Sequence, residues 1–394
     1  MTRRTSRNTR CGDGCMTKVD EILTCLTDRA PLSLAESWDN VGLLLGDRDA
    51  AIDALVIALD PTPEAINFAC ERRAQLLLTH HPLFLKPPHR LVASDPVGAL
   101  ILRCVRQGIN VIAMHTNLDN AEGGVGDALA AKLGLVHPRV LAPAHTGRLC
   151  KLVTFVPPNC ADAVRDAMAS AGAGTIGEYS HCSFAIAGLG TFLPSDQANP
   201  FIGKRGELEM TDELRLEMIV PEIRLSATLD ALIASHPYEE VAYDVYPLEQ
   251  AGAAWGCLKL GALVSPTTGE QFVERALEQL EAPSARVIGT LPVSVSEVAV
   301  CGGSGASFIE QVAYSSADVY VTGDIKHHDA LAARTAGLCV VDVGHAVSER
   351  VATELLSEWI DTYKVERAHG NLTCHLHPVV PPWEEICQAR AVSA

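Results

Sequence analysis

A chain of 394 residues is longer than one hydrophobic core usually serves, so we expect two or three domains. Hydrophobic residues make up 48% of the chain and charged residues 20%, which is typical of a folded α/β protein and excludes a largely disordered one. The net charge of −17 repels phosphate backbones, so nucleic acid is a disfavoured partner.

The cysteine and hydropathy patterns indicate where the protein works. Its 13 cysteines have no paired CxxC spacing, and their odd number argues against a closed disulfide framework. No apolar run reaches the roughly 18 residues that a membrane-spanning helix needs, and the N-terminus lacks the apolar core of a secretory signal. We therefore expect a soluble protein of the cytoplasm that does not enter the membrane.

The chain begins with a polar stretch that contains four arginines and no apolar block. We interpret residues 1–16 as a disordered tail, and Met16 as an alternative start of translation to Met1. From Lys18 onward the apolar residues have helical spacing, which marks the beginning of the folded part.

Apolar runs and helical patterns alternate over the first third of the chain. This alternation predicts repeated βα units and a mostly parallel sheet covered by helices. The predicted strands span 54–59, 75–81 and 110–115, and the predicted helices span 63–72, 95–107 and 125–133.

From about Cys150 to Gln250 the element order changes to β-α-β-β-α-β, which is the order of a ferredoxin-like module. After Gly252 the βα alternation resumes, with predicted strands over 297–303, 318–324 and 338–344 and helices over 307–315, 326–336 and 346–363. We therefore predict a two-lobed α/β body with an inserted α+β module. The predicted segments are lobe 1 at 17–147, the module at 148–251, lobe 2 at 252–380 and a tail at 381–394.

Histidines and carboxylates follow three of the predicted strands. In open α/β sheets, ligands bind beyond the carboxyl ends of the strands, so these side chains are candidates for a common site. Any one junction alone is better explained by a capping or hydrogen-bonded polar group, but three together indicate a site. The candidates are His80 and His81 after the first strand, His115 and Asp119 after the second, and His345 and Glu349 after the third.

The spacing of these residues is compatible with a metal site. His80 and His81 can point into one cleft only if the strand has already ended, as Pro82 suggests. His345 and Glu349 are separated by one helical turn and share a face, and His115 and Asp119 can converge through a loop turn. Imidazole and carboxylate ligands suit zinc, iron, manganese and similar ions.

Two further motifs are open to more than one interpretation. The GGSG at 302–305 could cradle an anion before a helix, but it lacks the lysine of a P-loop, and a tight turn explains it better. Asp324, His327 and His328 follow another strand, where Asp324 is equally well explained as a helix N-cap or as a contact near the site. The remaining histidines considered lack a nearby convergent carboxylate: His89, His137, His145, His181, His369, His375 and His377.

Five separated motifs resemble those of the Nif-three-like family, which includes the bacterial GTP cyclohydrolase I type 2 homologs. In chain order they are WDNVGLLLG at 38–46, THHP at 79–82, HTNLD at 115–119, TGDIKHHDA at 322–330, and GH followed by E at 344–349. The stretches at 190–203 and 235–249 resemble the extra CutA/PII-like module of the longer members. The resemblance covers about residues 17–365.

The resemblance implies a metal site and an assembly. The metal ligands would be His80, His81, Asp119, His345 and Glu349, which would bind two divalent ions with Glu349 as the bridge. Members of the family form toroidal homohexamers whose sites face an internal cavity. His115 would lie beside the metals, and His328 would face the cavity.

The chemistry that this site implies is hydrolysis. A metal-activated water would attack a nucleotide such as GTP at the purine imidazole ring, with His115 or His328 transferring protons, or would cleave a phosphoester. The alternative is a metal-binding ring that acts as a scaffold or regulator and binds a ligand or a partner protein without catalysis.

Overall fold

The computed structural model describes residues 16–367 and 371–382. The tails predicted at 1–16 and 381–394 therefore lie outside the described residues except for Met16, Pro381 and Pro382, and so does His369. The chain divides into two compact units, one formed by residues up to Ala144 and from Trp255 onward, and the other by His145–Ala254.

The strands of both units are numbered together along the chain. They are β1 (Thr17–Lys18), β2 (Gly42–Leu45), β3 (Ala51–Ile52), β4 (Ala54–Ala58), β5 (Leu76–Thr79), β6 (Asn110–Ala113), β7 (Leu135–Ala142), β8 (His145–Val156), β9 (Ser183–Phe192), β10 (Glu209–Pro221), β11 (Tyr243–Trp255), β12 (Leu258–Thr267), β13 (Arg286–Ile288), β14 (Val295–Ser304), β15 (Val319–Gly323), β16 (Cys339–Asp342) and β17 (Thr373–Leu376).

The α-helices are numbered in the same way. They are α1 (Val19–Arg29), α2 (Pro63–Glu71), α3 (Pro96–Gln107), α4 (Thr116–Asn120), α5 (Val125–Lys132), α6 (Ala161–Ser170), α7 (Leu225–Ser235), α8 (Gly269–Gln279), α9 (Ile309–Ala313), α10 (His327–Thr335) and α11 (His345–Arg367). Among the described residues, no helix is both long enough and apolar enough to cross a membrane.

The first unit contains a five-stranded sheet with the order β17-β4-β5-β6-β2. Three of its four strand pairings are parallel, and only β2 runs antiparallel to its neighbour. Strands β4 and β5 are buried along their whole length because helices cover both faces, as their continuous apolar runs predict. His375, one of the histidines for which the sequence suggests no metal partner, lies on the edge strand β17.

The same unit contains a six-stranded sheet with the order β13-β16-β15-β14-β12-β7. Only the pairs β14–β15 and β15–β16 are parallel, whereas β7, β12 and β13 join the sheet antiparallel. The mostly parallel sheet predicted for the first third of the chain is the five-stranded one, whereas this six-stranded sheet is mixed. Antiparallel strands need no helical crossover, so the βα rhythm of the sequence did not reveal them.

One hydrophobic core lies between the two sheets and includes the long helix α11. Alternate residues of a strand point to opposite faces, so Leu55 and Ile57 of β4 pack into this shared core while Val56 packs under α2 and α3 on the other face. Val298 and Val300 of β14 face the shared core from the second sheet. The fold is thus the α/β class that the sequence predicts, with the carboxyl ends of β5, β6 and β16 leading directly into the candidate residues.

The second unit has the element order β-α-β-β-α-β, from β8 through β11. Its four strands form a single sheet with the order β11-β8-β10-β9, in which β10 pairs antiparallel with both β8 and β9. Helices α6 and α7 cover one face, where Val164, Met168 and Leu232 pack on the strands. Each unit therefore has its own core.

Candidate metal centre

His80 is the most enclosed of the candidate residues. Strand β5 ends at Thr79, so His80 and His81 are freed from the strict alternation of a strand. The Nδ1 atom of His80 lies 2.8 Å from the carbonyl oxygen of Met114, to which it donates its proton. That leaves Nε2 as an acceptor, and this buried atom has no hydrogen-bond partner among the described residues.

His81 lies beside His80, and an aspartate outside the cluster orients its ring. Its Nδ1 atom is 2.7 Å from Oδ1 of Asp60, the residue that follows β4 by two positions. Its Nε2 atom is 3.0 Å from Oε2 of Glu349 and 3.3 Å from Nε2 of His345. The aspartate thus orients the ring so that Nε2 points to the other candidate residues.

His345 and Glu349 lie on the first turn and a half of α11. One helical turn separates them, and His345 Nε2 is 2.8 Å from Glu349 Oε2. The Nδ1 atom of His345 is 2.7 Å from Oδ2 of Asp324, which follows β15 with a left-handed backbone at φ 58°. Lys326, and not Asp324, precedes helix α10 as its N-cap residue. Of the two interpretations of Asp324, the structure favours the contact near the site.

Asp119 and His115 come from a third segment of the chain, the one that follows β6. The segment after β6 forms the short helix α4 instead of a loop turn, and Asp119 Oδ1 lies 3.6 Å from His80 Nε2. His115 precedes this helix, and its Nδ1 atom is 2.9 Å from Oδ1 of the buried Asp39. Its ring centroid lies 5.3 Å from those of both His80 and His81.

Two overlapping groups of side chains have the spacing of a metal site. Within each group, one potential ligand atom per residue lies within 4.8 Å of the others. The first group is His80, His81 and His115, and the second is His81, His345 and Glu349. His81 belongs to both. The sequence expectation named His115 as a neighbour and Asp119 as a ligand, whereas these distances group His115 with the histidines and leave Asp119 beside them.

The electrostatics of the cluster favour a cation. Burial by itself raises the pKa of Glu349, but the surrounding imidazoles of His345, His80 and His81 hold that pKa well below its usual range. Burial lowers the pKa of His81, yet the close contacts with Asp60 and Glu349 raise it overall to about 10. Glu349 is also the main cause that raises the pKa of His345 to about 9. Without a metal, protons on these imidazoles balance the carboxylates.

A divalent ion would also balance these carboxylates. The buried Nε2 atom of His80 lacks a partner, and Glu349 Oε2 has close imidazole neighbours but no hydrogen bond of good geometry among the described residues. The outer nitrogens of His80, His81 and His345 are each fixed by an oxygen, which is how metal-binding histidines are oriented in proteins. The residues therefore fit a metal site with histidine and carboxylate ligands.

Asp119 differs from Glu349 in the direction in which its pKa is shifted. Burial raises its pKa to about 7, although the nearby His80 acts in the opposite direction. A carboxyl group with a pKa near neutrality either binds a cation or exchanges a proton at physiological pH.

The GGSG motif has a steric role beside Glu349. Gly302 and Gly303 lie within strand β14, and no helix of anion-binding length follows, because a short 3₁₀ turn and the five-residue α9 come next. Gly303 has φ 62°, and a Cβ atom at this position would lie 2.0 Å from Glu349 Oε1. The glycine allows the glutamate to reach the cluster, which explains the motif better than an anion cradle does.

The second proposed proton-transfer residue, His328, is not part of the cluster. It is exposed on α10, and the described residues that line the site cavity do not include it. Sequence reasoning also missed two residues of the site, Asp60 and Asp39. Asp60 follows β4 at the same sheet edge, so the rule of strand ends would have found it, and Asp39 belongs to the WDNVGLLLG motif at 38–46, which marked its segment without giving it a role.

Most residues of the cluster line a cavity of about 970 Å³ in the first unit. Asp60, His81, His115, Asp119, His345 and Glu349 line it together with the apolar side chains of Trp38, Leu85 and Phe308. Trp38 is 57% exposed and its ring lies edge-to-face with His115 at 5.9 Å. Polar side chains next to an exposed aromatic ring, in one cavity, are typical of a site for a small organic molecule.

Comparison with known proteins gives a consistent result. Residues 17–377 match the family model described as Duf34/NIF3 (NGG1p interacting factor 3). The chain is 41% identical over 334 residues to a Bacillus subtilis protein and 42% identical over 320 residues to one from Halalkalibacterium halodurans, both named GTP cyclohydrolase 1 type 2 homolog. These alignments cover 85% and 81% of this chain and 89% and 86% of the relatives.

Solved structures agree with this relationship. A Bacillus cereus protein related to NIF3 superposes with a TM-score of 0.85 at 37% identity, covering 95% of this chain and all of the other. A Staphylococcus aureus protein superposes with a TM-score of 0.74 at 30% identity, covering 94% of this chain and 99% of the other. The resemblance inferred from the five motifs is therefore confirmed, and the chain belongs to the DUF34/NIF3 family.

Proposed function

We propose that this protein is a metal-dependent hydrolase that binds two divalent ions and acts on a nucleotide. The observation that carries the proposal is the buried, partnerless Nε2 atom of His80, which lies next to His81, Asp119 and Glu349. A buried polar atom without a partner is costly, and a metal ion would satisfy it. We assign His80, His81, Asp119, His345 and Glu349 as ligands, with Glu349 between the two metal positions.

The metals would come from the group of zinc, iron, manganese and similar ions, because histidine and carboxylate ligands suit all of them. When bound, such a pair would lower the pKa of a water and polarise an electrophile. Asp60 and Asp324 would orient His81 and His345 from behind, as their short contacts to the outer nitrogens indicate.

His115 is the residue that we assign to proton transfer. Its Nδ1–H donates to Asp39, which leaves Nε2 able to accept a proton. Burial by itself raises the pKa of Asp39, but the contacts from His115 and Thr116 lower it overall, so Asp39 stays ionised and fixes the tautomer of His115. The ring lines the cavity beside the metal ligands, where a substrate would be bound.

Support for a nucleotide substrate comes from the cavity and from the relatives. The apolar side chains of Trp38, Leu85 and Phe308 could receive a planar base. The name of the relatives refers to GTP, which makes a purine nucleotide the first substrate to test. A homohexamer, as the resemblance implies, is part of the proposal and can be checked by analytical ultracentrifugation.

The test combines metal content with turnover. The purified protein is loaded in turn with zinc, iron and manganese, its metal is measured by mass spectrometry, and it is assayed with GTP and a panel of phosphoesters. We expect about two ions per chain and turnover that follows metal content. His81→Ala should lose both, whereas His89→Ala, at an exposed loop histidine outside the cavity, should lose neither. Full metal occupancy without turnover of any substrate would favour the scaffold instead.

A further inference from the structure

A second cavity of about 900 Å³ lies in the first unit next to the metal centre. Asp324, His345 and Ala346 line both cavities, so the contact between Asp324 and His345 forms part of the wall that they share. The other lining residues come from the segment before β13, the start of α10 and the turn between β16 and α11. These three shared residues would separate a molecule in one cavity from a molecule in the other.

Four basic residues line this second cavity: Arg286, Lys326, His327 and His345. Lys326 and His327 are exposed to solvent, and the side chain of Arg286 is 68% exposed. Their position is unusual because the protein as a whole has a net charge of −17. A local group of basic side chains on an acidic protein attracts an anion that the remaining surface would repel.

The acidic residues in the same lining are already engaged with other partners. Asp342 is buried, contacts Arg286 closely, and accepts hydrogen bonds from the backbone N–H groups of Ile325 and Gly344. Asp324 is 2.7 Å from His345. Neither aspartate is paired with Lys326 in the described part of the chain, so the lysine can neutralise a ligand.

The combination of arginine and lysine indicates what kind of anion would bind. A guanidinium group offers a planar set of donors that matches phosphate, and a lysine ammonium binds phosphate as a compact charge. Arg286 Nη2 donates to Asp342 and to the carbonyl oxygen of Ile325, which fixes the guanidinium, so Arg286 contributes geometry and Lys326 contributes the charge that the aspartates do not neutralise. A cavity of this volume accommodates a chain of several phosphate groups, whereas a single ion would fill only a small part of it.

We propose that this second cavity is a binding site for the phosphate chain of the substrate, with Lys326 and Arg286 as its anchors. That the phosphate belongs to a nucleotide rests on the proposed function, but the binding of phosphate groups itself does not. This phosphate site would lie behind His345, on the other side of the contact between Asp324 and His345 from the first cavity. It also gives a role to Lys326 of the TGDIKHHDA motif, whose Asp324 contacts His345 of the metal cluster.

The test uses inorganic tripolyphosphate as the probe and the full chain with its metal removed by chelation. Isothermal titration should detect binding to the unaltered protein. Lys326→Gln should weaken it by about tenfold or more, the effect of losing one charge-assisted contact. Arg334→Gln is the matched control, because it removes the same charge from the exposed last turn of α10 without touching the cavity. That control should bind tripolyphosphate as the unaltered protein does.

Several outcomes would overturn the proposal. They are the absence of tripolyphosphate binding at millimolar concentration, equal binding by Lys326→Gln and the unaltered protein, and equal weakening by Arg334→Gln. A further arm compares GTP with guanosine on the same metal-free protein, and the proposal requires tighter binding of GTP that Lys326→Gln reduces. If the metal-loaded protein proves inactive but tripolyphosphate binding depends on Lys326, the hydrolase proposal fails while the phosphate site stands.

Discussion

The Nε2 atoms of His81 and His345 lie 3.3 Å apart, although 264 positions separate the two residues in the chain. Two imidazole nitrogens at this distance must share a proton or a cation, since two lone pairs would repel each other. Each ring is fixed from behind by an aspartate, Asp60 or Asp324, so neither can simply turn away.

The first prediction concerns the aspartate behind His345. Asp324→Asn should weaken metal binding by roughly 10-fold to 100-fold, because the amide no longer orients and polarises the imidazole as a carboxylate does. Metal affinity can be measured by competition with a chromogenic chelator. Asp361→Asn, on the exposed surface of α11, is the control and should bind metal normally. Equal affinity in both variants would remove Asp324 from the site.

The second prediction concerns the close approach of Gly303 and Glu349. Gly303→Ala should lower the free energy of unfolding and the metal content together, because the new methyl group would overlap Glu349 Oε1. Gly337→Ala is the control that separates backbone strain from overlap with Glu349. Gly337 also has a left-handed backbone, at φ 74°, but a Cβ atom there would have open space around it.

We expect Gly337→Ala to lose about 1 kcal/mol from backbone strain and to retain its metal. Urea unfolding and metal analysis check both variants. If Gly303→Ala retained full metal content and matched Gly337→Ala in stability, the steric explanation of the GGSG motif would be wrong.

The third prediction concerns the second unit. The backbone N–H of Ala144 donates to the carbonyl oxygen of Trp255 at 2.9 Å, so the two ends of the first unit meet where the second unit begins and ends. Replacing His145–Ala254 with a short glycine-serine linker should therefore leave a folded protein that binds metal. Circular dichroism and metal analysis test this.

The opposite truncation should fail. A fragment over 17–147 contains His80, His81 and Asp119 but lacks His345 and Glu349, and a fragment over 252–380 has the reverse composition. We expect neither fragment alone to bind two metal ions tightly. Tight stoichiometric binding by one of them would show that the cluster is not shared between the two ends of the chain.

The fourth prediction is a pH dependence in the second unit. His236 Nε2 donates to the carbonyl oxygen of Phe155, and its Nδ1 atom accepts from the backbone N–H of Tyr238, which requires the neutral ring. Burial lowers its pKa in the folded protein, so the unfolded chain binds more protons. Its contribution to stability is present above about pH 6.5 and is lost as the pH falls toward the folded pKa.

The measurement is thermal unfolding between pH 5 and 7.5 on the unaltered protein and on His236→Ala. The variant should be less stable at pH 7.5, and the difference should shrink as the pH falls. His89→Ala, at an exposed histidine, is the control and should differ little in stability from the unaltered protein. If the stability difference between His236→Ala and the unaltered protein stayed constant with pH, the pKa of His236 would be the same in the folded and unfolded states, and the prediction would be wrong.

The sequence by itself determined much of the first unit. The continuous apolar runs of β4 and β5 predicted buried strands, and the polar residues after β5, β6 and β16 predicted a site at their carboxyl ends. This inference works because burial and strand direction depend on local periodicity, and His80, His81 and His345 follow strands whose pattern is unambiguous. The family followed from five motifs for the same reason, since each is a local stretch of sequence.

Only the tertiary structure decided which side chains surround these residues. Asp60 and Asp39 become partners of His81 and His115 through contacts between distant segments, and Gly303 matters because a strand from the second sheet passes against Glu349. The antiparallel strands β7, β12 and β13 also escaped prediction. Their placement depends on pairing between distant segments, and no local pattern records which strands will be neighbours.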